Sequence, residues 1–158
     1  MKLRQVILVQ FSWGRIAAGA SFGHLLYRRL FELDPSLRGL FRSDMAEQAE
    51  RITQMIGVVV DGLGKPSTLI PVLSALGHRH AIYGVQPKHY DTMGAAMLWA
   101  LQSSLGNDYA DDIGDAWSAA YQFITHVMQH APDEALGSAR KNSWWPGLNA
   151  PLPSPFAS

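Results

Sequence analysis

The sequence contains no cysteine, no excess of either charge sign and no apolar run long enough to cross a membrane. Without cysteine there are no disulfides, thiolate metal sites or thiol nucleophiles, and the composition suits a reducing compartment; a cytoplasmic location is expected. Thirteen basic residues balance thirteen acidic ones. A neutral chain has little electrostatic pull toward nucleic acid or an anionic bilayer, so neither is expected as a partner. Near the N-terminus the run Val6-Ile7-Leu8-Val9 stops at Gln10, and Arg15 follows soon after. That is too short for a signal-peptide core or a membrane span, and it reads as the first amphipathic helix of a mature protein. Sustained strand-like alternation is missing as well.

What is present is enough for one packed domain: 158 residues, 47% hydrophobic and only 16% charged. Apolar residues recur at helical spacing through the first 130 or so positions, which predicts an all-α fold. A helix from about Ser21 should end at Asp34-Pro35, because the residue before proline is pushed out of the α region. A short helical turn then reaches Leu40-Phe41. Asp44 and Glu47 have the spacing of a capping box ahead of Ile52, Met55, Ile56 and Val59. A further helix from Ser67 carries Leu69, Val72, Leu73, Leu76 and His80, with Gly84 placed as its C-terminal glycine. Pro87 suits the first turn of the next helix, Tyr90 to Leu105. The last helix buries Ile113, Ala116, Trp117, Ala120, Ile124, Val127 and Met128. The expected domain therefore covers residues 1–131. From 132 to 158 the chain holds five of its nine prolines and no periodic apolar face, and reads as a flexible tail in which Trp144-Trp145 could serve as an anchor.

The stretch LGHRHAIYGVQPKHY, residues 76–90, holds three of the six histidines. In a strand, His78 and His80 would share a face and could hold zinc with His89 as a distant third ligand. In a helix, residues two apart point about 200° apart and cannot share an ion. Leu73, Leu76 and Gly84 favour the helix, which puts His80 on the buried stripe and His78 toward solvent. A lone histidine on an apolar face is often a core residue satisfied by one hydrogen bond.

Two further polar residues also fall on apolar faces. Tyr27 shares a stripe with Gly23, Leu30 and Phe31, and Gln48 lies one turn before Ile52. Each has a simple structural explanation: a buried tyrosine whose hydroxyl finds a carbonyl, and a glutamine half-exposed near its helix start. Three such residues on three helices nevertheless outline a pocket. An imidazole, a phenol and an amide suit a metal-bound small ligand such as dioxygen, and without cysteine the metal site would be of haem type.

At this point the chain resembles the globins, and in particular the bacterial single-domain globins related to flavohaemoglobin globin domains. The resemblance rests on YRRLFELDPSLRGLF, SDMAEQAERITQMIGVVVDGL, LIPVLSALGHRHAIYGVQPKHY and DDIGDAWSAAY, taken in that order and spacing between about Lys2 and Ala131. It implies a globin fold, a three-over-three helical sandwich around a haem pocket, with haem b as cofactor. It further implies that His80 is the proximal iron ligand, that Phe41 packs on the haem plane and that Pro35 starts the short third helix. Tyr27 and Gln48 would be the distal pair, with Ile52 limiting the pocket one turn beyond. A different register after Phe41 would bring Arg51 to the distal position instead. Tyr90 matches a tyrosine that pairs with a glutamate on the last helix to orient the proximal imidazole. Here Pro132 stands where that glutamate would be, with Asp133 and Glu134 as substitutes.

A tyrosine and glutamine pair implies strong hydrogen bonding to dioxygen, hence slow release and high affinity, with nitric oxide and carbon monoxide as further ligands. The expected reaction is nitric-oxide detoxification by dioxygenation. No GxGxxG or GxxxxGK[ST] loop is present. Turnover would therefore depend on a separate reductase. A gas or redox sensor, and a simple oxygen-binding protein without turnover, are the alternative readings.

Overall fold

The computed structural model describes residues 1–19, 21–41 and 44–130. The tail from 132 to 158, its boundary at Ala131 and the Trp144-Trp145 pair lie outside the described residues. Among the described residues there are six α-helices: α1 (Leu3–Ala17), α2 (Phe22–Leu33), α3 (Met45–Gly62), α4 (Pro66–Ile82), α5 (Pro87–Leu105) and α6 (Asp111–His130). Short 3₁₀ helices at Pro35–Leu40 and Gly106–Asp108 complete the order, and no strand occurs among the described residues.

The boundaries follow local chemistry. Asp34 is extended ahead of Pro35 and ends α2, while its carboxylate accepts the Ser36 amide at 3.1 Å to start the 3₁₀ helix. Helix α4 begins at Pro66, one residue before the expected Ser67, since proline at the first helical position gives up only an amide that would have had no partner. The capping box expected at α3 forms only in half. Asp44 accepts the Ala46 amide, but Glu47 reaches along the helix to Arg51 at 3.5 Å. At the end of α4, Gly84 takes φ +92°, its amide meets the Ala81 carbonyl, and the Val85 amide meets that of His80 at 2.9 Å. This paired closure is a Schellman motif, and its left-handed residue is one that glycine adopts without strain.

The helices pack as two layers of three. Helix α3 lies against α1 and α4 in one layer, and α5 against α2 and α6 in the other. The layers join through α1 on α6, α4 on α6 and α2 on α3. Val9, Leu26, Leu69, Leu73 and Leu101 are fully buried, and the Trp13 ring meets Phe22 and Trp117 edge-on. Burial of these side chains, at roughly 25 cal/mol per Å² of apolar surface, is the main favourable term. A polar pair set deep among them is satisfied: Trp117 Nε1 donates to Ser12 Oγ at 2.9 Å, which donates to the Leu8 carbonyl.

Two crossings bring backbones into contact. A Cβ at Gly23 would overlap the Ala49 carbonyl, and one at Gly77 would overlap that of Met128. The first sets α2 on α3 beside Gln48 and one turn before Tyr27; the second sets α4 on α6 just short of His80.

Candidate functional site

His80 sits in the last turn of α4 with its side chain largely buried. Its Nδ1 lies 2.9 Å from the carbonyl of Leu76, one turn earlier. That contact makes Nδ1 the protonated nitrogen and leaves the Nε2 lone pair uncommitted. Burial holds the imidazole below its ordinary pKa, partly opposed by the Leu76 hydrogen bond, so the ring is neutral near pH 7. A neutral imidazole with a fixed tautomer is the form that binds a metal. The Tyr90 ring stacks beside it, with centroids 6.3 Å apart and planes 25° from parallel. Tyr90 is itself held from behind, since Tyr121 on α6 donates its hydroxyl hydrogen to the Tyr90 carbonyl. Tyr90 thus meets His80 by ring contact, and Nδ1 is taken by a main-chain carbonyl. Pro132, Asp133 and Glu134 lie outside the described residues.

His78, two positions away on the same helix, is solvent-exposed. Helical phase therefore separates the HxH pair, and the zinc reading of His78 with His80 does not survive. His89 accepts the Gln86 amide through Nδ1 at 2.9 Å and caps the start of α5.

The Tyr27 and Gln48 wall differs in kind. The Tyr27 ring is buried, stacked on Phe31 and edge-on to Phe41 at 5.3 Å. Burial drives its phenol far above the usual tyrosine range, so the hydroxyl keeps its proton as a donor. Gln48 is 3% exposed, and its Nε2 is buried with no hydrogen-bond partner. Arg51, the other candidate on α3, also borders the cavity but is partly exposed and paired with Glu47, whereas Gln48 is enclosed. An unpartnered buried amide costs about 1–3 kcal/mol, and such a group in a folded protein calls for a reason.

Both walls face one cavity of about 560 Å³, a volume within the usual range for a small-molecule or cofactor site. Tyr27, Phe41, Gln48, Ile52, His80 and Tyr90 all line it. Val85, Met93, Met97 and Met128 line it too, and sequence reading singled out none of them for the site. The helical phase of Met93, Met97 and Met128 marks them as apolar and inward, which is the signal of any core position, while Val85 lies in the turn between α4 and α5. The Leu76 carbonyl was likewise unreadable, because every residue carries one.

Comparison with known proteins agrees with this geometry. The family model described as Globin matches residues 24–128. A flavohaemoprotein of Chromobacterium violaceum is 26% identical over 133 residues, covering 82% of this chain and 33% of that protein. Neuroglobin of Danio rerio is 29% identical over 136 residues, covering 77% of this chain and 86% of its own length. The chain thus spans about a third of the flavohaemoproteins it matches and most of the neuroglobin. Among solved structures, the flavohaemoglobin of Malassezia yamatoensis with bound FAD and haem superposes with a TM-score of 0.66 at 23% identity, over 81% of this chain and 35% of that one. That likeness extends to the fold. With two layers of three helices around a cavity that His80 lines, and a family model matching about two thirds of its length, the chain belongs to the globin family.

Proposed function

We propose that this globin holds haem b in the cavity and binds dioxygen tightly there, and that its reaction is the dioxygenation of nitric oxide with electrons from a separate reductase. The observation that carries the reading is the buried, unpartnered Nε2 of Gln48 in the same cavity as the uncommitted Nε2 of His80. The residues fit the group: a large apolar cavity, a neutral imidazole, and two polar donor groups without protein partners among the described residues. The sequence has no cysteine to form the thioether links of a c-type haem, which supports a non-covalently held b type. When bound, haem supplies an iron centre that takes a diatomic gas and exchanges an electron with a donor.

The chain's own residues do the rest. His80 holds the group through Nε2 while Leu76 keeps the ring neutral and aimed. Phe41 and Ile52 pack the cavity and exclude water, which strengthens every hydrogen bond inside it. Tyr27 and Gln48 donate to a polarised gas, and two donors in a dry pocket slow its release. Dioxygen, nitric oxide and one electron balance to nitrate. The flavohaemoprotein relatives, and the solved relative holding both FAD and haem, support a flavin reductase as electron source. The cysteine-free composition supports a cytoplasmic setting, and no described helix is long and apolar enough to cross a membrane.

The test is an absorption spectrum after haem supplementation, oxidised, reduced, and under dioxygen or carbon monoxide. A Soret band that shifts with each gas is expected, and its absence overturns the haem reading. Oxygenated protein mixed with nitric oxide should yield nitrate, with repeated turnover only when a reductant is supplied. One equivalent of nitrate despite a reductant would make the protein a stoichiometric binder.

A further inference from the structure

Away from the cavity, two more histidines stand one turn apart at the end of α6. His126 and His130 are both exposed, and their rings lie side by side with centroids 4.7 Å apart and planes 24° from parallel. Residues four apart share a helix face, the spacing at which two imidazoles of one helix reach a single ion. His130 Nδ1 lies 3.1 Å from the His126 carbonyl, so it carries the proton and Nε2 is free. His80 uses the same device with Leu76. A ligating histidine commonly donates its second ring N–H to a carbonyl in this way, which fixes tautomer and orientation together.

We propose that His126 and His130 chelate a divalent transition metal of the Cu²⁺, Ni²⁺ and Zn²⁺ class at a surface site distinct from the cavity. Imidazole nitrogens select these ions over Mg²⁺ and Ca²⁺. Among the described residues no third histidine or carboxylate joins the pair. Water fills the other positions, and the ion exchanges readily. Between the two ligands, Val127 is buried and the Met128 carbonyl packs against Gly77. An ion bridging His126 and His130 therefore clamps the turn of α6 on which α4 rests.

The experiment is calorimetric titration of the tag-free, haem-loaded full chain with Cu²⁺ and Zn²⁺, paired with thermal melts. One equivalent of each should bind, Cu²⁺ more tightly, with a rise in Tm that Mg²⁺ does not produce. Both His126→Ala and His130→Ala should weaken binding by at least about tenfold and abolish the rise in Tm, while His78→Ala changes neither. Undiminished affinity in either of the first two variants overturns the proposal, since the ion is then held by one imidazole or elsewhere. The site does not rest on haem; if none is taken up, the same comparison on the haem-free chain decides it.

Discussion

The two walls of the cavity treat their polar atoms in opposite ways. On the α4 wall the groups that set the histidine are tied down: His80 Nδ1 on Leu76, the His80 carbonyl on Val85, and the Tyr90 backbone on Tyr121. On the α2–α3 wall the Gln48 amide has no partner, and the Tyr27 hydroxyl has none among the described residues. The first wall is finished without a ligand and presents one aimed lone pair. The second is incomplete, and its donors are satisfied only by something that enters. A static, oriented ligand faces hydrogen-bonding capacity held in reserve, which is the division of labour a gas-binding site needs.

The largest effect should come from removing the aimed lone pair. His80→Ala is expected to lose most haem absorbance, whereas His78→Ala, on the exposed face, leaves the spectrum unchanged; equal spectra for the two would erase the distinction between the walls.

Next come the crossings that support each wall. Gly77→Ala drives a Cβ into the Met128 backbone and Gly23→Ala into that of Ala49, so each should cost roughly 1–3 kcal/mol in denaturant unfolding. Gly77→Ala should disturb haem retention first, and Gly23→Ala oxygen release. A neutral result in both would mean the helices separate easily.

Smaller, and opposite in sign between stability and function, are changes to the reserved donors. Gln48→Leu removes a buried, unpartnered amide and should stabilise the haem-free chain by about 1–2 kcal/mol while speeding dioxygen release. Tyr27→Phe should raise the off-rate by about tenfold, equivalent to roughly 1.4 kcal/mol. If the Gln48 variant unfolded more easily, the amide would have a partner and the reserve would not exist.

The smallest effect concerns pH. The folded pKa of His80 lies below the unfolded 6.5, so the unfolded chain binds more protons between the two values. Stability of the haem-free protein should fall as pH drops through that window and level off below the folded pKa. The His80→Gln variant should lose this slope, and the comparison of melting curves across pH checks it.

How much of this could be read in advance divides along physical lines. Helix ends governed by local rules were legible: Asp34-Pro35, Gly84 and Pro87 sit where steric restriction and positive φ require them. Helical phase alone separated His80 from His78. The partner of His80 was not legible, because attention goes to a distant acid near residues 132–134 when the acceptor is a main-chain carbonyl one turn away. Glu47 shows the converse, a side chain with correct capping spacing that an arginine one turn on draws away. Gly23 and Gly77 were ambiguous for a third reason, since a glycine within a helical pattern looks like a weakness until a second backbone is seen lying against it.

The Schellman closure of α4 makes His80 a hinge pin as well as a ligand. Its side chain is moored upward to Leu76 and its main-chain oxygen downward to the Val85 amide, with Val85 itself on the cavity surface. The imidazole cannot be drawn along its own axis without loading that loop. Residues 83–86, the short strap between α4 and α5, are thereby tied through one hydrogen bond to the residue whose Nε2 faces the cavity.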